Sequence, residues 1–335
     1  MDLICPAGSL PALRQAVDNG ADAVYFGFRD GTNARTFPGL NFDAEQAARG
    51  VDYAHKRGAR VFLALNVFPQ PDSWKTATDA LARGVRAGID AVILADMGLM
   101  RFARETWPDL RLHLSVQASA TNHHAIAFFA RRFGIRRVVL PRVLSLRQVE
   151  QLITTMDASH PVEIEVFAFG SLCVMVEGRC TLSSFVTGDS PNTQGVCSPA
   201  RAVRWEETPA GRQTRLNGVL IDRFLPGEPA GYPTLCKGRY QVRGETFHAI
   251  EEPTSLNVLS VLPDLMRMGV AALKVEGRQR SPAYVGKVTR VLREAVDACL
   301  ANPNGFVPKP AWIKTLDGVS EGRAHTLGAL HRPWQ

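Results

Sequence analysis

Four of the six cysteines in this chain lie within one stretch, at Cys173, Cys180, Cys197 and Cys236. Their separations are six, sixteen and thirty-eight residues, and none forms a C-x-x-C pair. Disulfides are disfavoured in a reducing cytosol, and structural zinc sites usually contain closely spaced cysteine pairs. An iron–sulfur cluster needs only four thiolates that converge in space. The spacing alone therefore leaves a cluster and a zinc ion as alternatives.

The remaining two cysteines fit the hydrophobic core. Cys5 lies on the first predicted strand and Cys299 on the last predicted helix, both at apolar positions. Buried cysteine commonly behaves as a small hydrophobic residue. We therefore expect neither to bind metal.

Polar residues recur where the predicted strands end, and they form a second candidate site. The positions are Asn66, Asp96, Gln117, Arg142 and Glu276. Each could serve as a loop cap, but five in similar places favour a shared pocket. The candidate substrate residues lie on or just after predicted strands at the barrel face: Arg35, Arg142, Lys274, Glu276 and Arg278. Guanidinium groups suit carboxylate ligands, although surface solvation is an open alternative for each residue.

A repeated strand and helix unit must position these residues. At five places a glycine ends an amphipathic stretch and a short β-rich run follows it. These glycines are Gly20, Gly58, Gly88, Gly134 and Gly269. With the runs at residues 3–7, 111–117 and 163–169 the chain contains eight such strands. No G-x-G-x-x-G follows the first strand, which argues against a dinucleotide-binding open sheet. We predict an α/β fold, a TIM-like (β/α)8 barrel with a cysteine-bearing insertion after strand seven.

The insertion defines the predicted domain organisation. Residues 171–253 are rich in Gly, Pro, Ser and Thr and show no helical period. A segment of this length is too long for an ordinary loop. We predict barrel strands one to seven over 1–170, a cluster-binding insertion over 171–253, the last helix, strand and helix over 254–302, and a tail over 303–335 that packs on the barrel.

Composition places the chain among folded proteins. It has 335 residues, of which 45% are hydrophobic and 21% charged, with a net charge of +7. Disorder is excluded as its main character, and no apolar run approaches the roughly 18 residues that span a bilayer. The start lacks a signal peptide, so we expect a cytoplasmic protein. The positive charge favours acidic partners without identifying one.

A long motif gives the sequence a family resemblance. The pattern E-x-F-x-x-G-S-L-C-x4-G-x-C-x-L-S is matched by Glu165, Phe167, Gly170, Ser171, Leu172, Cys173, Gly178, Cys180, Leu182 and Ser183. It resembles the signature of the collagenase-like U-type peptidase family. The segments CPAGSLPAL, SVQASATN, SPNTQGVCSPAR and VEGRQRSPAYV extend the resemblance over essentially the whole chain.

The resemblance implies a role in oxygen-independent hydroxylation during ubiquinone biosynthesis. The expected oxygen donor is prephenate, and the expected cofactor is a [4Fe-4S] cluster held by Cys173, Cys180, Cys197 and Cys236. The implied partners are the paralogue UbiV, as a heterodimer, and the lipid carrier UbiT. Neither DNA nor a transmembrane segment is expected.

Two other functions within the family are alternatives. Some members hydroxylate tRNA or rRNA, and the family name implies proteolysis. The sequence has no H-E-x-x-H and no G-x-S-x-G, and Ser190 is followed by proline. His123 and His124 open a predicted helix, where a cap or surface role suits them equally well. Cysteine proteolysis would use a thiol that the cluster needs. A peptidase is therefore the less favoured alternative.

Overall fold

Eight parallel strands close into a barrel in the computed structural model, which describes residues 1–36, 39–156, 161–176, 179–191 and 197–331. The first seven barrel strands are β1 (Asp2–Pro6), β2 (Ala23–Phe26), β3 (Arg60–Leu65), β4 (Ala91–Leu94), β5 (Arg111–Leu114), β6 (Ile135–Val139) and β7 (Glu163–Ser171). The eighth is β14 (Ala272–Val275), which pairs in parallel with both β1 and β7. All eight predicted strands and the barrel fold are confirmed.

Helices follow the barrel strands, and one further helix lies in the insertion. They are α1 (Leu10–Asp18), α2 (Ala44–His55), α3 (Trp74–Ala87), α4 (Met97–Thr106), α5 (His123–Phe133), α6 (Leu146–Thr154), α7 (Thr181–Thr187), α8 (Leu262–Arg267), α9 (Pro282–Ala301) and α10 (Pro310–Asp317). Gly88 and Gly134 are the C-caps of α3 and α5, in the left-handed conformation with φ of 87° and 66°. Glycine adopts this conformation with little strain, which explains the repeated glycine before each strand. None of the helices in the described ranges has the length and apolar character needed to cross a bilayer.

Two layers of apolar side chains stabilise the barrel. Inside it, eight side chains form one cluster: Ile4, Ala23, Tyr25, Phe62, Ala64, Ala91, Ile93 and Ala272. The larger core lies between the strands and the helices and includes Cys5 and Cys299, both fully buried as predicted. Burial of apolar surface contributes roughly 25 cal/mol per Å2, so these layers supply the main driving force for folding.

The insertion has its own small sheets. A meander contains β8 (Val203–Thr208), β9 (Gly211–Leu216) and β10 (Val219–Phe224), and a hairpin contains β11 (Tyr240–Val242) and β12 (Glu245–Phe247). Although the insertion shows no helical period in its sequence, it contains α7, which begins directly after Cys180. Its seven residues make only about two turns, too few for a helical period to stand out in sequence. Gly178 and residues 192–196, which belong to the quoted motifs, lie outside the described residues.

The chain after the insertion returns to the barrel mouth. Strand β13 (Ser255–Asn257) pairs antiparallel with the end of β7, and β15 (His325–Thr326) pairs in parallel with β13. Helix α10 buries Trp312 and Leu316, and the Trp312 indole donates a hydrogen bond of 2.8 Å to Glu294 on α9. The C-terminal segment is therefore anchored both to the outer helices and to the top of β7.

Candidate functional site

A pocket opens at the carboxyl ends of the barrel strands. The five residues predicted for substrate binding all line it: Arg35, Arg142, Lys274, Glu276 and Arg278. Asn66 and Gln117 line it as well. Asp96 does not appear in the lining, because its carboxylate caps α4 and accepts a hydrogen bond of 2.9 Å from the Leu99 amide. For Asp96 the loop-cap alternative is therefore the correct one.

Two pocket cations are buried and held by polar partners. Arg278 donates to the Asn33 side chain at 2.8 Å, and burial lowers its pKa to about 10. The Lys274 ammonium lies 2.6 Å from Glu165 and 4.0 Å from the centre of the Tyr25 ring. Burial lowers the pKa of Lys274, and the Glu165 carboxylate opposes that shift. Glu165, which belongs to the family motif, thus partly neutralises the charge of Lys274.

Glu276 is the carboxylate among the pocket residues. Burial alone would raise its pKa, but the charges of Arg35, Arg280 and Arg142 outweigh burial and hold the pKa below its usual value. Its Oε1 atom accepts a hydrogen bond of 3.0 Å from Gln279 and lies 3.9 Å from the Arg35 guanidinium. Its Oε2 atom is buried without a hydrogen-bond partner among the described residues.

The loop after β2 positions Arg35. Asn33 is fully buried and accepts a hydrogen bond of 3.0 Å from the Arg35 amide, while Asn66 accepts one of 3.1 Å from the amide of Ala34. These side-chain bonds satisfy backbone donors that neither a helix nor a sheet could satisfy. The Asn66 bond fastens the loop to the end of β3 at Ala34, and the Asn33 bond stabilises the turn within the loop.

Arg142 joins the pocket to the end of β7. Its guanidinium lies 4.2 Å from the centre of the Phe167 ring and donates to the Ser171 carbonyl. Near the same strand end, a Cβ added to Gly170 would lie 2.6 Å from the Cβ of Glu276. The glycine of the family motif thus allows β7 to approach the pocket carboxylate closely.

Three of the four candidate metal-binding cysteines, Cys180, Cys197 and Cys236, lie close enough for the charge of one to affect the pKa of another. Burial raises the pKa of Cys236 to about 11, and the charges of Cys197 and Cys180 act in the same direction. Cys197 reaches solvent but is surrounded by protein, which raises its pKa, while Arg35 opposes the shift. The Cys180 sulfur lies 3.5 Å from the Ser183 amide at the start of α7.

Cys173 lies two residues after the end of β7, and its thiol donates to the Met175 carbonyl at 3.7 Å. Within the described ranges, no three His, Cys, Asp or Glu side chains are arranged so that they could hold a metal ion. The four thiols are the donor set that a [4Fe-4S] cluster requires.

A buried ion pair ties the two ends of the insertion to the C-terminal segment. Lys237, next to Cys236, pairs with Glu321, and both side chains are buried. Glu321 also accepts a hydrogen bond of 3.1 Å from the Ser171 hydroxyl at the end of β7, two residues before Cys173. Sequence reasoning missed this contact because residue 321 is separated from the insertion by an entire helix, strand and helix.

A Ser–His–Asp row in the same region also escaped sequence reasoning. Ser320 Oγ lies 2.6 Å from His325 Nε2, and His325 Nδ1 lies 3.4 Å from Asp317. The amide nitrogen of Asn257 lies 3.2 Å from the same Nδ1 atom, and the Ser320 hydroxyl can donate to the Leu316 carbonyl at 2.8 Å. Donation to the Leu316 carbonyl directs the Ser320 proton away from the imidazole. A nucleophilic serine requires the opposite direction, with the imidazole accepting the serine proton.

The chain matches known proteins over nearly its full length. Residues 8–333 match the model of peptidase family U32. The chain is similar to tRNA hydroxylation protein P of Escherichia coli (strain K12), at 32% identity over 99% of this chain and 74% of the relative. Similarity to tRNA hydroxylation protein P1 of Bacillus subtilis (strain 168) is 30% over 94% and 68%. A protein of Porphyromonas gingivalis named collagenase is 29% identical over 89% and 66%.

A solved structure of a U32 peptidase overlaps 84% of this chain and 94% of its own. The sequence identity is 14% and the TM-score is 0.48. The barrel assignment rests on the strand pairing described above.

Proposed function

Because the chain belongs to peptidase family U32, we propose that it is an iron–sulfur protein of the UbiU type, which supports oxygen-independent hydroxylation in ubiquinone biosynthesis. The names of the Escherichia coli and Bacillus subtilis relatives support hydroxylation as the reaction class. The barrel-mouth pocket supports a small anionic donor such as prephenate, because guanidinium groups bind carboxylates through paired hydrogen bonds.

The position of Arg35 is the observation that carries the proposal. Its guanidinium lies 3.9 Å from Glu276 inside the pocket, and its charge opposes the burial that raises the pKa of Cys197 in the insertion. A single side chain therefore lies within electrostatic reach of both the anion pocket and the cysteine group. Such proximity is what a reaction needs when electron transfer accompanies chemistry on a bound donor.

Cys173, Cys180, Cys197 and Cys236 would hold the proposed [4Fe-4S] cluster, which supplies electron-transfer capacity when bound. The remaining roles belong to the pocket. Arg142 and Arg278 would orient donor carboxylates, and the ionised Glu276 would accept a hydrogen bond. The β strands keep these groups on rigid supports, which preserves their geometry during turnover.

We further propose that the chain works in a heterodimer with the paralogue UbiV, with the lipid carrier UbiT delivering the hydrophobic precursor. Exposed apolar side chains on the insertion support a partner surface: Val176, Leu182, Phe185, Trp205 and Leu225. Phe185 is 90% exposed, which is unusual for a large aromatic side chain in the absence of a partner.

Hydroxylation of tRNA is the second candidate function. The two relatives of 30% and 32% identity favour it, since both are named for that modification. The pocket is compatible with either candidate function, because it would bind the oxygen donor and not the molecule that is hydroxylated. The acceptor must therefore be identified by experiment on cellular products.

Peptidase activity is not part of the proposal. The Ser–His–Asp row has hydrogen-bond directions that favour a structural role for Ser320, and His123 is engaged with Thr155 at 3.2 Å. A Ser320→Ala variant should therefore retain the function of the unchanged protein.

A deletion strain grown without oxygen tests the proposed function. We expect it to lose ubiquinone when anaerobic but not when aerobic, and the unchanged gene or the Ser320→Ala variant should restore it. Quinones and RNA nucleosides are measured by mass spectrometry in the same cultures. Normal anaerobic ubiquinone with a missing hydroxylated nucleoside would instead establish the tRNA candidate. Peptide hydrolysis abolished by Ser320→Ala would overturn both.

A further inference from the structure

Strand β8 is an outer edge of the three-stranded meander in the insertion. The strand order is β10, β9, β8, so β8 pairs with β9 on one side. Within the described part of the chain, no strand pairs with its other side. The opposite edge of the sheet, on β10, is covered, because a Cβ added to Gly238 would lie 2.5 Å from the Ile221 carbonyl oxygen. Among the described residues, β8 is therefore the open edge of this sheet.

The hydrogen-bond pattern of the meander shows which backbone groups of β8 face outward. In an antiparallel pair, alternate residues direct both their N–H and their C=O groups to the neighbouring strand. Asn217 donates a bond of 2.6 Å to the Ala202 carbonyl, and the register of β8 with β9 continues this pairing without a shift. The even-numbered residues of 202–208 therefore face β9, and the odd-numbered residues of 203–207 direct their backbone groups to the open edge.

These outward groups match a second copy of the same strand. The Val203 amide already donates to the Ala200 carbonyl, which leaves the Val203 carbonyl and the amide and carbonyl of both Trp205 and Glu207. When two β8 strands lie antiparallel with Trp205 opposite Trp205, each Trp205 amide can donate to the Trp205 carbonyl of the other copy. Each Glu207 amide can then donate to the Val203 carbonyl of the other copy. Every outward amide that remains thus gains an acceptor.

The charges of β8 favour the same register. It places Arg204 opposite Glu206 of the second copy, at both symmetry-related positions. Cross-strand pairs of opposite charge stabilise a sheet, and like charges directly opposite destabilise it. Both side chains are exposed, and Glu206 contacts Arg215 at 3.1 Å through Oε2, so its Oε1 atom can accept from the second copy. The neighbouring symmetric registers would instead place Arg204 opposite Arg204, or Glu206 opposite Glu206.

We infer that two copies of this chain, in the absence of another partner, pair through their β8 edges into one continuous antiparallel sheet with Trp205 opposite Trp205. Trp205 is 43% exposed, and aromatic cross-strand pairs stabilise a sheet. An open edge otherwise offers a template for uncontrolled pairing, which a closed twofold dimer prevents. The inference does not rest on the proposed function. Because Trp205 also belongs to the proposed partner surface, the paralogue and the second copy compete for this edge.

Light scattering of the full chain alone, measured over a concentration series, tests this inference. We expect the mean mass to rise from one copy to two as the concentration increases. Arg204→Glu should keep the mass of one copy where the unchanged protein is paired, because it places like charges opposite each other. Arg204→Glu combined with Glu206→Arg should restore pairing, because the two charges are then exchanged between the positions. Arg223→Glu, the same change at an exposed position of β10, is the matched control.

A proline substitution tests the backbone bonds independently of the charges. Glu207→Pro removes an outward amide that makes no bond to β9, so the strand should tolerate it while pairing is lost. Glu207→Ala keeps that amide and should pair like the unchanged protein. Thermal melting in dilute solution checks that both variants remain folded. A chain with the mass of one copy at every concentration would overturn the inference, as would a dimer that persists in both Arg204→Glu and Glu207→Pro.

Discussion

At the scale of single residues, the pocket depends on a glycine at the end of β7. Gly170 has φ of 129°, and an added Cβ would lie 2.6 Å from the Cβ of Glu276. Gly170→Ala should therefore lower the free energy of unfolding by about 1–3 kcal/mol and weaken prephenate binding, since both strain and a clash fall on the pocket carboxylate. Urea unfolding and calorimetry measure the two effects. Gly58→Ala, with φ of 76° and open space around its Cβ, should affect stability alone.

The buried histidine inside the barrel predicts an acid-sensitive fold. Burial, with the charges of Arg137 and Arg111, holds the pKa of His113 well below its usual value of 6.5. Because the unfolded chain binds this proton more readily, its contribution to stability is complete above pH 6.5 and is lost as the pH falls below that value. The loss is at most about 1.4 kcal/mol per pH unit.

Replacement of that histidine tests the pH dependence. Between pH 6.5 and 5, urea unfolding of His113→Phe should show a shallower decline in stability than the unchanged protein. His124→Gln, at an exposed position, should follow the unchanged protein. Parallel declines for the unchanged protein and His113→Phe would show that His113 is not the group responsible.

The positions of the pocket residues could be predicted from sequence where a residue lies at or just after the end of a barrel strand. Arg142 lies three residues after β6 and Glu276 directly after β14, and the carboxyl ends of parallel barrel strands meet at one face. The same reasoning was wrong for Asp96, because an aspartate that follows a strand can instead be the N-cap of the next helix. Local sequence cannot separate these two uses, since both require the same residue type at the same place.

At the scale of elements, the C-terminal segment fastens the cysteine-bearing insertion. Glu321 contacts Lys237 beside Cys236 and Ser171 near Cys173, so it ties both ends of the insertion to one point. Glu321→Gln should lower the iron retained per chain after anaerobic dilution, because it leaves Lys237 as an unpaired buried charge. Lys314→Gln, on the exposed side of α10, serves as the control. Equal iron retention in both variants would rule out a fastening role.

The barrel strands were predictable as elements, but the insertion was not. Parallel strands covered on both faces are continuous apolar runs, and a left-handed glycine before them marks the helix end. Strands β8 and β9 carry mostly polar side chains, so they lack the continuous apolar runs of the barrel strands. Strand β13 has only three residues, and its pairing depends on β7, a distant partner that no local pattern encodes.

At the scale of the whole molecule, the proposed heterodimer predicts a change in size. Light scattering under anaerobic conditions should give the mass of one copy of each chain when both are present. Phe185→Asp should weaken that association, because a charge would replace an exposed aromatic side chain on the proposed partner surface. Arg290→Asp, on the solvent-exposed face of α9, is the control. A fully active monomer that does not bind the paralogue would contradict the proposal.

The iron and sulfide content of anaerobically purified protein tests the proposal that four cysteines of the insertion hold an iron–sulfur cluster. We expect brown protein with about four iron and four sulfide per chain, and an Ala substitution of Cys173, Cys180, Cys197 or Cys236 should lower both. Cys299→Ala should retain them, since Cys299 is buried in the core. A colourless protein with stoichiometric zinc and no iron, purified from cells with intact cluster assembly, would contradict the claim.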